Sequence, residues 1–183
     1  MNRRIAHFSC GAASAVAAKL SKPDEIWYAN TGGEDEDNMR FLRDCEQWFG
    51  QEVRILRSEK YASTWELWDK KRYLSGVAGA PCTGELKLKP LRAAGRPDDI
   101  GIIGYTADTR DRMRVKQLRA MKPDAIWEFP LIEAGLTKAA CLGLERLSWL
   151  VPEQSWCHRA LGLERGLGTR HKKPYLHDMV LCT

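Results

Sequence analysis

Short apolar runs alternate with longer stretches of helical periodicity along most of the chain. Residues 5–8 (IAHF) read as a strand, and residues 12–20, rich in alanine with Val16 and Leu20 in phase, as a helix. Glu25–Ala29 (EIWYA) predicts a second strand. Asn38–Phe49 carries Met39, Leu42, Cys45 and Phe49 at three- and four-residue spacing, the pattern of an amphipathic helix. Val53–Leu56 reads as a short third strand. The region of Trp65 and Trp68 reads as helical, Gly76, Gly79 and Pro81 mark a loop, and residues 83–94 predict another helix. Residues 100–105 (IGIIGY) are almost uniformly apolar, as a central parallel strand buried on both faces should be. A basic helix follows over residues 110–121, then a fifth strand at 125–129 stopped by Pro130, and a last helix over Lys138–Leu147.

Five strands separated by helices predict an α/β protein: an open parallel sheet of about five strands with flanking helices and right-handed crossovers, Rossmann-like in layout. Ligands of such sheets sit beyond the carboxyl ends of the strands, near the point where strand order reverses. Three candidate segments fall there: residues 9–14 after strand one, Thr31-Gly32-Gly33 after strand two, and residues 106–112 after strand four. Residues 1–150 are expected to form the α/β domain that carries these segments. Residues 151–183 lack periodicity, carry Gly162, Gly166 and Gly168, and contain the basic run Arg170-His171-Lys172-Lys173, so they read as a loop-rich basic tail or flap.

Composition changes this picture little. With 183 residues, 44% hydrophobic and 29% charged, the chain suits one globular domain. No apolar run approaches the roughly 18–20 residues of a membrane span, and no signal-like segment follows the basic start, so a cytoplasmic protein is expected. The six cysteines (Cys10, Cys45, Cys82, Cys141, Cys157, Cys182) are widely spaced without a CxxC pair. That favours free thiols over disulfides and offers no closed zinc site. Cys45 and Cys141 fall on apolar helix faces and read as core, as do Trp27 and Trp127 in strands. The formal charge of +5 fits an anionic ligand but does not separate a nucleotide from a nucleic acid.

The loop Ser9-Cys10-Gly11-Ala12-Ala13-Ser14 places small residues where a strand turns into a helix. Small side chains let backbone N–H groups approach phosphate oxygens, and a helix N-terminus adds favourable partial charge. A plain, tightly packed strand-to-helix turn would look the same. The loop resembles the PP-loop of the adenine-nucleotide α-hydrolase superfamily. Within it, Ser9-Cys10-Gly11 followed by Ala15-Val16 is similar to the phosphoadenosine phosphosulfate reductase branch. ATP-cleaving members carry Asp where this chain has Ala13, which argues against Mg-ATP pyrophosphatase chemistry. Further matches follow in order. Tyr28 to Gly33 resembles the strand-two end that contacts adenine and ribose, with Glu34 to Asp37 after it, where Asp35 and Asp37 also suit simple helix capping. Ala80-Pro81-Cys82-Thr83 with Lys87 and Pro90 resembles the family's cysteine-plus-lysine segment. Gly104 to Asp108 with Arg110-Asp111-Arg112, and Phe129-Pro130 with Leu136-Thr137-Lys138, resemble the later blocks.

The resemblance implies an adenine nucleotide, phosphoadenosine phosphosulfate or ATP, held by Ser9, Cys10, Gly11, Ser14, Thr31, Gly32, Gly33, Lys87, Thr106, Arg110 and Lys138. Arg112, Arg114, Lys116 and Arg119 read as a solvated helix surface. The candidate catalytic thiols are Cys82, whose pKa Lys87 and Lys89 would lower, and Cys182. Reductases of the branch attack through a Glu-Cys-Gly-Leu-His cysteine and are reset by thioredoxin, which makes a thioredoxin-like reductant the implied partner. Here Glu164-Arg165-Gly166-Leu167 has arginine at the nucleophile's place. An iron–sulfur cluster on Cys82, Cys157 and Cys182 is the weaker alternative, because the two downstream cysteines are far apart. The expected activity is sulfonucleotide reduction or related sulfur transfer. ATP-dependent adenylylation of a nucleic acid or small molecule, and an inactive nucleotide- or nucleic-acid-binding protein reached through the basic C-terminus, stay open beside it.

Overall fold

A computed structural model describes residues 2–76 and 79–147. Its sheet holds five strands, β1 (Arg4–Phe8), β2 (Glu25–Ala29), β3 (Val53–Leu56), β4 (Ile100–Ile103) and β5 (Ile126–Glu128). All pair in parallel, in the order β3-β2-β1-β4-β5. The helices are α1 (Ala12–Ser21), α2 (Asn38–Phe49), α3 (Thr64–Lys71), α4 (Lys89–Ala94), α5 (Thr109–Met121), α6 (Pro130–Glu133) and α7 (Lys138–Leu147), with a π-helical stretch at Thr83–Leu88. This is the expected open parallel α/β sheet. The order reverses between β1 and β4, which is the switch point where such folds place ligands.

β1 and β2 are central and buried on both faces. Ala6, Phe8, Ile26 and Tyr28 share one face with α1 and with Phe41, Leu42 and Cys45 of α2. Ile5 and Trp27, one residue out of phase, join Leu56 on the other face, covered by Leu91 and Ala94 of α4. The strand period of two thus sorts each strand's residues between two cores. α1 is enclosed on two sides: Ala15 and Ala18 meet the sheet, while Val16 and Ala17 meet Leu131 of α6 and Cys141 of α7. Its alanines let five elements approach one helix, so the run of small residues has a packing role besides any ligand role.

Several boundaries differ from the sequence expectation. β4 stops at Ile103 and β5 covers only three residues. Leu20, expected on the inner stripe of α1, is 51% exposed. Trp127 is only partly enclosed, and its indole N–H lies buried without a partner. Asp37 occupies the N-cap of α2 but pairs its carboxylate with Arg40 at 2.6 Å instead of capping the helix. The helix expected over 83–94 is divided: the Lys89 N–H bonds Gly84 O, five residues back, before α4 begins. Pro90 explains the widening, because it has no N–H to donate and its ring crowds the carbonyl one α-turn back. α6, a single turn opened by Pro130, escaped the periodicity. No helix among the described residues is long and apolar enough to cross a membrane.

Candidate functional site

Three loops meet at the carboxyl edge of the sheet. The first, residues 9–14, turns from β1 into α1 through Cys10 at φ 52°. A non-glycine residue in this left-handed region costs about 1–2 kcal/mol. The residue is 5% exposed and its thiol faces the Asn38 carbonyl at 3.7 Å, inside the fold. Ser14 shapes the loop from inside: its hydroxyl donates to Gly11 O at 2.9 Å and accepts from the Ser9 N–H at 3.1 Å. The Ser9 hydroxyl also reaches Ser14 Oγ at 3.1 Å, while the Gly11 N–H is 3.4 Å away. A hydroxyl oxygen has two lone pairs, so the Gly11 contact is the weak one. Ser9 is exposed, and its hydroxyl can swing from Ser14 to an incoming oxygen. Helix geometry leaves the N–H groups of Ala12, Ala13 and Ser14 without a carbonyl one turn back.

The second loop follows β2. Glu34 accepts from the Thr31 N–H at 2.7 Å, the Thr31 hydroxyl at 2.6 Å and the Gly33 N–H at 3.2 Å. One carboxylate therefore holds three donors of the segment expected to meet the nucleotide. Gly32 has φ 67°, and a Cβ there would lie 2.4 Å from Ala62 O. A Cβ at Gly33 would lie 2.9 Å from Thr64 Oγ1. Both glycines exist in this geometry because the loop rests on the start of α3. Thr64 completes the contact, its hydroxyl 3.2 Å from that of Thr31. Burial, followed by the nearby Cys10 thiol and Glu34 carboxylate, pushes the Tyr28 phenol far above its ordinary range.

The third loop follows β4. Gly104 lies against the first loop so closely that a Cβ would be 2.7 Å from Ser14 Cα and 2.8 Å from Ser14 N. Thr106 is 2% exposed, its hydroxyl between Asp108 (2.9 Å) and Asp111 (2.8 Å). It fixes the loop and is turned away from solvent. Asp108 also accepts the Lys138 N–H at 3.0 Å. That bond, then the Thr106 hydroxyl, hold the Asp108 carboxyl below its ordinary value. Along this rim of the sheet, Lys138, Asp108 and Thr106 are thus bonded together, Gly104 packs on Ser14, Cys10 meets Asn38, and Thr31 meets Thr64.

Arg110 and Lys138 are exposed at the first turns of α5 and α7, on the β4 side of this rim. Lys87 is half-buried in the π-helical stretch. Cys82 is 3% exposed, packed with Tyr61, Leu67 and Leu86. Lys89, expected to act on that thiol, instead pairs with Glu85 at 2.6 Å. Cys157, Cys182 and the basic run at 170–173 lie outside the described residues. No group of three metal-ligating side chains occurs among the described residues. Two shallow hollows of about 360 Å³ each lie elsewhere, one beside the π-helical stretch at Tyr73, Pro81 and Arg92, the other below α1 at Lys22 and Phe49.

Sequence reasoning missed Glu34, Asp108 and Asp111 as organisers of the rim. Their signal was present: acids two to five residues after a buried threonine, where a short carboxylate can return to loop N–H groups. Arg112 is exposed, as expected, and donates from Nε to Ala107 O at 2.8 Å, whereas Arg114, expected in solvent, is half-buried and pairs with Asp111 at 3.3 Å.

A doubly wound parallel sheet with a small-residue loop at its switch point defines a Rossmann-like α/β protein. Among solved structures, the chain is similar to the crystal structure of phosphoadenylyl-sulfate (PAPS) reductase from Candida auris in its phosphate complex. The TM-score is 0.62 at 12% identity, over 94% of this chain and 83% of that one. The likeness is one of fold. No family model matches the sequence, and no curated protein matches it.

Proposed function

We propose that the chain binds an adenine nucleotide by its phosphate and sulfate groups on residues 9–14, as an enzyme of sulfonucleotide reduction or a related sulfur transfer. The observation that carries the binding reading is the seating of this loop. It lies at the point where sheet order reverses, opens a helix, and is bare of large side chains. An anion there meets N–H donors at the positive end of α1. Ala13 brings no carboxylate to repel a sulfate or to hold a magnesium ion. Arg110, Lys138 and Lys87 supply the balancing charge, with the arginine fork suited to a tetrahedral oxyanion. The motif resemblance and the shared fold with PAPS reductase favour a sulfonucleotide over ATP.

In this reading a cysteine thiolate attacks the sulfur, and the nucleotide leaves with the bridging oxygen and its electron pair. A thioredoxin-like dithiol then releases sulfite from the S-sulfonated cysteine, and is itself oxidised to a disulfide. Cys82 is enclosed by Tyr61, Leu67 and Leu86. We therefore assign the attack to Cys182. Calorimetry with adenosine phosphosulfate, phosphoadenosine phosphosulfate and Mg-ATP tests the binding; a sulfonucleotide is expected to bind tightest. Absence of binding to all three overturns the reading, and a preference for Mg-ATP redirects it to adenylylation. Sulfite release is expected to vanish in Cys182→Ser, and its survival in both Cys182→Ser and Cys82→Ser would exclude the two thiols.

A further inference from the structure

We propose that the outer face of α5 docks the phosphate backbone of a nucleic acid. The helix, TRDRMRVKQLRAM, carries five cations and one acid. Its acid, Asp111, pairs with Arg114, and both are half-buried. Arg112, Lys116 and Arg119 stand at i, i+4 and i+7, on one exposed stripe. None of the three has an ion-pair partner among the described residues. Many other cations of the molecule do: Arg3 meets Glu25 and Asp99, Arg4 meets Glu128, Arg40 meets Asp37 and Asp44, Lys70 meets Glu66. Like charges four apart on a helix repel, so the stripe is poised for an external anion.

Two of the three are also held in place. Arg112 Nε donates to Ala107 O at 2.8 Å, and the Arg119 guanidinium lies 5.4 Å above the Phe129 ring. Holding an arginine before its partner arrives lowers the ordering cost of the contact. The stripe spans about 10 Å at 1.5 Å per residue. That distance covers roughly three phosphates of one strand at 3.4 Å each. A lipid surface fits less well, because Val115 and Leu118 are turned inward and the exposed Met113 and Met121 stand, at 100° per residue, to the side of the stripe and opposite it. α5 starts directly after the loop of Thr106 and Asp108, so a strand lying on it would run to the carboxyl edge of the sheet. The proposal does not depend on the nucleotide reading.

Fluorescence anisotropy with short labelled oligonucleotides, single-stranded and duplex, titrated across a salt series without nucleotide, tests this. The full chain is expected to bind, weakening steeply with salt. Arg112→Gln/Lys116→Gln/Arg119→Gln should bind more weakly and lower the slope of log K against log salt by roughly 2–3, at about 0.7–0.9 per phosphate. Lys116→Glu, a change at a side chain with no protein partner among the described residues, should by itself lower the slope by about one and leave the fold intact. The charge-matched Arg43→Gln/Arg57→Gln/Arg96→Gln protein should keep the wild-type slope. Failure of the full chain to bind at low salt overturns the proposal. So does an equal loss in both triple variants, or binding to phosphatidylserine vesicles without binding to oligonucleotides.

Discussion

Gly104 is a glycine because the backbone of Ser14 occupies the space a side chain would need. A Cβ would meet Ser14 Cα at 2.7 Å and Ala13 C at 3.0 Å, and neither can swing aside as a side-chain tip would. Gly104→Ala is therefore expected to lower stability by about 1–3 kcal/mol, as overpacking does. On the proposed nucleotide reading, the same shift should weaken sulfonucleotide binding about tenfold or more, since each 1.4 kcal/mol is a factor of ten. Thermal melts and calorimetry of the variant check both, and an unchanged melting temperature would show that the seat is slack. The first loop's small residues were legible in the sequence, yet their reasons were only half visible. Ser14 reads as a phosphate donor by motif, whereas its hydroxyl hydrogen is given to Gly11 O. Thr31 and Thr106 are likewise taken up by Glu34, Asp108 and Asp111. Which carboxylate returns to which loop donor depends on φ and ψ that hydrophobic periodicity does not encode.

At the level of elements, strong patterns gave firm positions. β2, α2, β3 and α7 lie where the sequence put them: β2 and β3 are short apolar runs, while α2 and α7 turn an apolar face to the sheet or to α1. The π-helical stretch and α6 were not legible. Each is governed by a single proline, Pro90 or Pro130, whose effect is on local backbone bonding. α3 shows how one element supports another's loop. Ser63 caps it by accepting the Glu66 N–H at 3.2 Å, and Gly32 and Gly33 rest on the turn this cap fixes. Ser63→Ala is expected to cost about 1 kcal/mol, the usual value of an N-cap. A urea midpoint shift smaller than a few tenths of that would mean the turn is held by the glycine contacts alone.

For the whole molecule, charge and burial at the sheet predict a pH dependence. Burial, with Lys122 in second place, lowers the pKa of His7 from 6.5 to about 4. Trp127 lies edge-on to the imidazole at 5.9 Å, and Lys122, its own pKa lowered by burial, sits 5.5 Å over that indole. Between these two pH values the unfolded chain holds more proton on His7 than the folded one, so stability falls as pH is lowered from about 6.5 to 4. The ceiling is on the order of 3 kcal/mol at 1.36 kcal/mol per unit. Asp99, bonded to Arg3, and Glu25, bonded first to Trp27 and then to Arg3, have lowered values and add loss of the same sign at more acid pH. His7→Gln should flatten the slope of stability between pH 6.5 and 5, measured by chemical denaturation, and parallel curves for the two proteins would contradict the assignment. The pairing of β1 with β4 has a kinetic consequence as well. Its flanking bridge joins Arg3 to Asp99, 96 positions apart. β1, β2 and β3 can pair through nearer neighbours, while closing that long interval carries a larger entropic barrier. Gly104 reaches Ser14 only once it closes. The contact of the third loop with the first is thus made by a strongly non-local step of folding, and residues 9–14 gain that support only after β4 has joined β1.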